Sequence, residues 1–237
     1  MSKRLRLFPL NAVLFPGAVL NLHVFEPRYK QMISECLDSG EGFGVVLIRE
    51  GDEAGDPSVS PHQIGSIAEI VEVTPLPLGR YYISTVGRQR FRISEIVSRE
   101  PYLTVEADVL SEDTIDEVAL EELTANVRGL FLEYVELLVE FSGEPATLDI
   151  PGDAQSTSYL VGDALQVADT MKQRLLEVNS TKQRLTVELS FLRRLLPQLR
   201  KLLERKETES AARKGRSQDE TFRHDQEKFF GKYFSAN

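Results

Sequence analysis

Residues 65–97 decide the fold, and they read GSIAEIVEVTPLPLGRYYISTVGRQRFRISEIV. Within this stretch, runs rich in β-branched and aromatic residues alternate between apolar and polar positions; Phe91 and Ile93, for example, lie between Arg90, Arg92 and Ser94. A period of two is typical of half-buried strands. The sequence therefore predicts strands over 65–74, 80–86 and 88–97, separated by the proline-rich segment 75–79 and by Gly87.

The flanking sequence extends the same pattern with predicted strands over 44–49 and 102–110. Short strands at even spacing favour a closed or partly closed barrel over a βαβ sheet. One helix interrupts the strands: Pro27 suits its first turn and Gly40 the position just past its end. Cys36 lies on the apolar face of this helix and is interpreted as a core residue, not a nucleophile.

Helical periodicity replaces the strand pattern at about residue 113. The spacing predicts a helix that stops at Gly143, a polar linker over 144–157, and further helices from Ser158 onward. Three pairs have the spacing of capping boxes: Thr114/Glu117, Thr170/Gln173 and Ser180/Gln183.

The last predicted helix contains Pro197, which is expected either to kink it or to mark the end of one piece. Its leucines are interpreted as the core-facing residues of a bundle helix. The sequence predicts an α+β protein with a β-rich part over 1–112 and a helical part over 113–204. Residues 205–237 are charged and are predicted to form an exposed helical extension or a disordered tail.

Composition and motifs exclude several function classes. The chain of 237 residues carries a formal charge of −9, which argues against nucleic-acid binding. No apolar run is long enough to span a membrane, and no secretory signal is recognisable. A single cysteine is compatible with the cytoplasm, which is the expected location. No phosphate loop, nucleophile motif or metal-ligand spacing occurs, so we expect no enzyme activity, catalytic residue, cofactor or metal.

The opening of the chain is the candidate binding segment. Residues 7–17, LFPLNAVLFPG, are apolar but contain Pro9, Pro16 and Gly17, so they cannot form one regular element. Such a segment either sits in a core or lines a groove. The candidates for direct apolar contact are Phe15, Pro16, Leu20, Leu22 and Phe25. The residues interpreted either as the groove rim or as structural, with an internal charge pair, are Glu26, Arg28 and Tyr29.

Several separated segments resemble the N-terminal substrate-binding domain of Lon proteases. They are FPLNAVLFPG at 8–17, LNLHVFEPRY at 20–29, FGVVL at 43–47, IGSIAEI at 64–70, GRQRFRI at 87–93, PYL at 101–103 and KQRLLE at 172–177. The resemblance implies a PUA-like β-barrel with one inserted helix, followed by a C-terminal helical bundle. It also implies a free-standing recognition domain, because the ATPase and protease domains that follow in Lon are expected to be absent.

The resemblance implies a non-catalytic function, the binding of unfolded, misfolded or degron-bearing polypeptides. The domain would act alone or as an adaptor for a separate protease. The alternative is an RNA-binding protein, since PUA-like barrels can bind RNA, although the acidic charge counts against it. No oligomeric state is predicted.

Overall fold

The computed structural model describes residues 2–51, 59–113, 116–145 and 148–214. Its strands are β1 (Ser2–Leu10), β2 (Val19–Val24), β3 (Phe43–Glu50), β4 (Ser60–Pro61), β5 (Ile64–Leu76), β6 (Arg80–Ser98) and β7 (Thr104–Val109). Its helices are α1 (Pro27–Ser39), α2 (Glu117–Ser142), α3 (Ala154–Ala164), α4 (Asp169–Glu177) and α5 (Thr181–Lys214). This element order confirms the predicted α+β class with one helix inserted among the strands.

Five strands form a closed circuit of pairings. The order is β1–β7–β6–β5–β3, and β3 returns to pair with β1 in parallel. The other pairings in the circuit are antiparallel. Closing a sheet on itself removes its edges, which is how barrels satisfy their strand backbones. The strands β2 and β4 attach outside this circuit, β2 to β6 and β4 to β3.

The sequence prediction was wrong at Gly87, which does not separate two strands. β6 is one strand of 19 residues that runs through it. A Cβ atom at this position would lie 2.2 Å from the carbonyl oxygen of Phe15, so only glycine allows the opening loop to approach so closely. The glycine therefore marks a close backbone contact and not a turn.

Helix α1 begins and ends where the sequence predicts. Pro27 is its first residue, and Gly40 follows its end with a φ of 67°, in the left-handed region that glycine favours. Its buried residues are Tyr29, Met32, Ile33 and Cys36. They pack in a core cluster with strand residues that include Phe8, Phe43 and Ile83. The helix thus covers one side of the sheet.

The predicted capping boxes at Thr114/Glu117 and Thr170/Gln173 are wrong. Helix α2 is capped by Asp116, whose carboxylate accepts a 3.1 Å hydrogen bond from the backbone N–H of Ala119, while Thr114 lies outside the described residues. Gln173 instead donates to the carbonyl of Ile64 at 3.0 Å. Helix α4 begins after Ala168 without a side-chain cap, whereas α2 has in Asp116 a residue type that is among the best caps. The stop at Gly143 is confirmed, with a φ of 76°.

Two further helix boundaries differ from the prediction. Helix α3 begins at Ala154, inside the predicted linker, because Asp153 caps it through a 2.7 Å bond from the N–H of Ser156. Helix α5 runs through Pro197, so the alternative in which one piece ends there is wrong. It reaches Lys214, and the rest of the predicted tail lies outside the described residues.

The chain divides into two compact units, and each unit consists of two separate segments of the sequence. The first unit comprises 1–115 and 167–181, and the second comprises 116–166 and the chain from 182 onward. Helix α4, which lies far along the sequence, thus belongs to the β-rich unit. Arg90 holds this segment, because its buried guanidinium donates to the carbonyls of Leu176 and Val178 at 2.7 and 2.9 Å.

Candidate functional site

The opening loop, residues 11–18, is tied to the sheet by its backbone. Ser66 donates a 2.6 Å bond to the carbonyl of Leu14, and the N–H of Gly17 donates to Gly87 at 2.8 Å. Phe15 is 0% exposed. Its side chain therefore lies in the core, and a direct contact between Phe15 and a ligand has no support from this geometry.

Strand β2 has two different faces. Leu20 and Leu22 are half-buried and pack against the core cluster beneath α1, and Val24 is fully buried in it. Val19, Asn21 and His23 alternate with these residues and are exposed on the outer face. The strand period of two explains this pattern. Leu20 and Leu22 therefore lie at the edge of the core, while the outer face of β2 is open to solvent.

Three aromatic rings cluster on the outer face, and we call His23, Phe25 and Tyr82 the aromatic patch. Tyr82 lies across from His23 in the β2–β6 ladder, with ring centroids 4.6 Å apart. The His23 and Phe25 centroids are 5.5 Å apart. Phe25 is 57% exposed and Tyr82 53%. Each ring buries part of its area on its neighbour, which leaves a contiguous aromatic surface facing water.

The turn between β5 and β6 presents a leucine in a strained conformation. Leu78 has a φ of 66°, and Gly79, with a φ of 64°, follows it. Leu76 pairs with Arg80, so the connection has three residues, Pro77–Gly79, and two of them carry the positive φ values that glycine and asparagine adopt most readily. A leucine in the left-handed region costs about 1–2 kcal/mol. Leu78 is also 85% exposed, so its side chain buries little area in its own unit.

The charged residues predicted near this surface form their own contacts. Arg28 Nε donates to Glu26 Oε2 at 3.0 Å, and the Arg28 guanidinium lies 4.4 Å from the centre of the Tyr29 ring. Tyr29 is buried and stacks on Phe8 with centroids 3.9 Å apart. These contacts favour the structural interpretation of Tyr29 and show that Glu26 and Arg28 form the internal charge pair that was one of the alternatives. Pro16 is half-buried in the opening loop.

Sequence reasoning did not select His23, although it follows the selected Leu22, and it missed Tyr82 and Leu78 altogether. Neither lies in the opening segment, and Tyr82 joins it only through the register of the β2–β6 pairing. For Leu78 the local signal was weak, because the connection Pro77–Gly79 has three residues and not the two of an Asn-Gly turn. A leucine with a positive φ is unusual, and Leu78 is therefore a candidate functional position.

The described residues show little that resembles a chemical centre. Burial raises the pKa of the Cys36 thiol to about 11, which agrees with a core residue and not a nucleophile. In the described ranges, no group of three or more histidine, cysteine, aspartate or glutamate side chains is arranged to hold a metal ion. No helix in those ranges is long and apolar enough to cross a bilayer.

The helical unit carries a separate concave surface. It has a volume of about 400 Å³ and lies along α2, with Thr124, Arg128 and Gly152 in its lining. The hydroxyl of Thr124 is buried there without a hydrogen-bond partner. Its walls combine two glutamates with an arginine, a threonine and small apolar residues, and none of the lining residues is aromatic. The aromatic patch is therefore the stronger candidate.

The fold is a closed sheet that carries an exposed aromatic surface, and surfaces of this kind mark interaction sites in soluble proteins. The sequence from residue 4 to residue 194 matches the family described as the ATP-dependent protease La (LON) substrate-binding domain. The chain belongs to this family, which is a non-catalytic one, in agreement with the prediction that it is not an enzyme.

Relatives and solved structures agree with this assignment. The chain is 33% identical over 234 residues to a Lon protease of Flavobacterium johnsoniae and 30% identical over 196 residues to Lon protease 2 of Myxococcus xanthus. These matches cover 94% and 80% of the chain but 28% and 23% of the relatives. The chain thus spans about a quarter of the length of the Lon proteases it matches.

Two solved structures share the fold. A Lon N-terminal domain protein from Xanthomonas campestris has a TM-score of 0.60 at 25% identity, over 79% of this chain and 98% of that one. The N-terminal domain of a Mycobacterium avium complex Lon protease has a TM-score of 0.59 at 20% identity, over 80% of this chain and 98% of that one.

Proposed function

We propose that the protein binds unfolded or degron-bearing polypeptides through the aromatic patch together with Leu78. The family is a substrate-binding one, and its relatives are proteases, whose substrates are polypeptides. The observation that carries the proposal is the pairing of an exposed aromatic surface with a leucine held in an unfavourable turn. Both features cost stability or solubility in the isolated domain, and both are explained by a partner that covers them.

An apolar surface suits clients of varied sequence. Burial of large apolar side chains needs no fixed pattern of donors and acceptors, so one surface can hold many clients. Each large side chain that becomes buried contributes about 1.5–3 kcal/mol. A few such contacts, less the cost of ordering the client, correspond to roughly micromolar affinity. An affinity of this order allows capture and release without an energy source.

The proposal includes a place of action and a role. A single buried cysteine needs no oxidising compartment, so the cytoplasm is the proposed location.

As an adaptor, the domain would deliver the captured chain to a separate protease. Adding the purified protein to a purified Lon protease should then accelerate degradation of an unfolded client. An unchanged rate would remove the adaptor role and leave the binding role in place.

Binding itself is tested with matched folded and unfolded clients. A fluorescently labelled protein is reduced and carboxymethylated so that it stays unfolded, and its anisotropy is measured against increasing concentrations of the domain. We expect saturable binding of the unfolded form and none of the native form. A folded carrier with an appended apolar peptide tests whether a short degron suffices.

The RNA-binding alternative is measured in the same assay with a labelled single-stranded RNA. The formal charge of −9 predicts no binding at physiological salt. A domain that binds the RNA, or that ignores the unfolded client at every accessible concentration, would contradict the proposed function.

A further inference from the structure

Strand β2 is an edge strand. Among the described residues it pairs only with β6, and the opposite edge of β6 is occupied there by β5. The three strands therefore form a ribbon in the order β2–β6–β5, and no described strand pairs with the other side of β2. Such an edge presents backbone N–H and C=O groups that a further strand can bind.

The hydrogen bonds identify which backbone groups face this open side. Gly87 donates to the carbonyl of Ala18 at 2.9 Å, and the hydroxyl of Thr85 donates to the carbonyl of Leu20 at 2.9 Å. The even-numbered residues of β2 therefore direct their backbone N–H and C=O groups toward β6. Because the direction alternates along an antiparallel strand, Val19, Asn21 and His23 direct theirs away from β6.

Nothing in the sequence of β2 protects this edge. Natural edge strands are blunted by charged side chains, proline, bulges or short length. The other strand outside the closed circuit, β4, has two residues and ends in Pro61. By contrast, β2 reads VLNLHV, six residues with no lysine, arginine, aspartate, glutamate or proline. An open edge without these features is suited to pairing with another strand.

We propose that the open edge of β2 binds its client as an added β-strand. This inference rests on the proposed function and specifies how the client is held. Backbone groups at Val19, Asn21 and His23, spaced two residues apart, are complementary to one extended polypeptide backbone. Alternate side chains of that strand would extend the outer face and contact the aromatic patch beside it. Main-chain bonds supply affinity for any sequence, and the aromatic rings favour clients with apolar side chains at every second position.

The client side of this interaction is tested by backbone methylation. The probe is a fluorescent peptide in which valine or phenylalanine alternates with threonine, and each variant carries one N-methylated residue. An N-methyl group removes one donor and blocks one edge of the added strand. We expect affinity losses of about tenfold or more at every second position, with little change between them, because only alternate N–H groups face β2.

Each result of the methylation series has a defined meaning. A flat profile with intact binding would overturn the added-strand geometry while leaving polypeptide binding in place. Failure of every peptide, including the unmethylated one, together with failure of the unfolded client, would overturn the proposed function. The two failures are therefore distinguishable.

The protein side is tested by replacing Asn21. Asn21→Pro removes an N–H that faces the open edge and leaves the bonds to β6 in place, whereas Asn21→Ala removes only the side chain. The thermal midpoint of both variants is measured to compare their stability. Asn21→Pro should bind the unmethylated peptide about tenfold more weakly than wild type, and Asn21→Ala should bind it within about twofold of wild type. Equal binding by the two variants would overturn the proposal. A second result would also overturn the proposal: the protein forms a concentration-dependent dimer, Asn21→Pro abolishes that dimer, and peptide binding persists. The open edge of β2 would then bind a second copy of the chain and not the client.

Discussion

The ammonium group of Lys30 donates a 3.0 Å hydrogen bond to the backbone carbonyl of Leu78. Lys30 lies near the start of α1, and Leu78 lies at the tip of the β5–β6 hairpin in the left-handed conformation. The bond holds the strained turn beside the helix that follows the aromatic patch. This arrangement connects the exposed leucine to the segment that carries Phe25.

Replacing Leu78 by asparagine should raise stability and lower client affinity together. Asparagine accepts the left-handed conformation at low cost, so Leu78→Asn should relieve about 1 kcal/mol of strain and raise the thermal midpoint by about 2–4 °C. Loss of the exposed apolar side chain should weaken binding of an unfolded client severalfold. Differential scanning calorimetry and anisotropy titration measure the two effects.

A leucine elsewhere on the surface is the control for this change. Leu132 is exposed on α2, and Leu132→Asn should leave client affinity unchanged while lowering stability slightly through helix propensity. If Leu78→Asn stabilises the protein and binds clients as wild type does, the strained turn has no part in binding.

Gly87 should tolerate no side chain. A Cβ atom there would lie 2.2 Å from the Phe15 carbonyl oxygen and 3.1 Å from Leu14, so the opening loop would have to move. We expect Gly87→Ala to lower the free energy of unfolding by about 2 kcal/mol or more. Gly129 in α2 has open space around its position, and Gly129→Ala should raise stability by about 0.5–1 kcal/mol. Equal effects in urea unfolding would contradict the close approach of the opening loop.

Glu188 should make the helical unit less stable as pH rises. Burial raises the pKa of Glu188 to about 8, against the lowering influence of the Arg184 charge and the Ser158 hydrogen bond. One of its oxygens has no partner. Between the ordinary value of 4.5 and about 8, the folded state holds a proton that the unfolded state releases, so stability falls with pH across this window.

The neutral variant Glu188→Gln should remove this dependence. Its thermal midpoint should match that of the wild type near the lower end of the window and exceed it near the upper end. Glu204→Gln changes an exposed glutamate on the same helix and should leave the wild-type slope intact. Parallel slopes for wild type and Glu188→Gln would show that Glu188 ionises normally in the folded protein.

Local sequence signals predicted most helix ends, and the errors arose where a contact between residues far apart in the sequence decides the structure. Pro27, Gly40 and Gly143 mark helix ends through their own backbone preferences, and the structure confirms all three. Gly87 was misread because the reason for a glycine there is the backbone of Phe15, which lies far away along the chain. The position of α4 in the β-rich unit likewise involves the contacts of Arg90 with Leu176 and of Gln173 with Ile64, which no local pattern encodes.

The candidate site was only partly predictable for a similar reason. Apolar composition singled out the opening segment but could not tell which side chains face the core. Phe15 and Tyr29 are buried, whereas Phe25 is exposed, although all three are aromatic residues in one stretch. Tyr82 enters the site through strand register, which depends on pairing between separate segments.

The affinity of an unfolded client for Phe25→Ser, compared with Phe15→Ser, tests the central claim most directly. Phe25→Ser should keep the wild-type thermal midpoint within a few degrees and bind the client about tenfold or more weakly, since it removes one large exposed contact. Phe15→Ser should unfold early, at a cost of about 3–5 kcal/mol, yet bind normally per folded molecule. Wild-type affinity for Phe25→Ser would contradict the account and place the binding surface elsewhere.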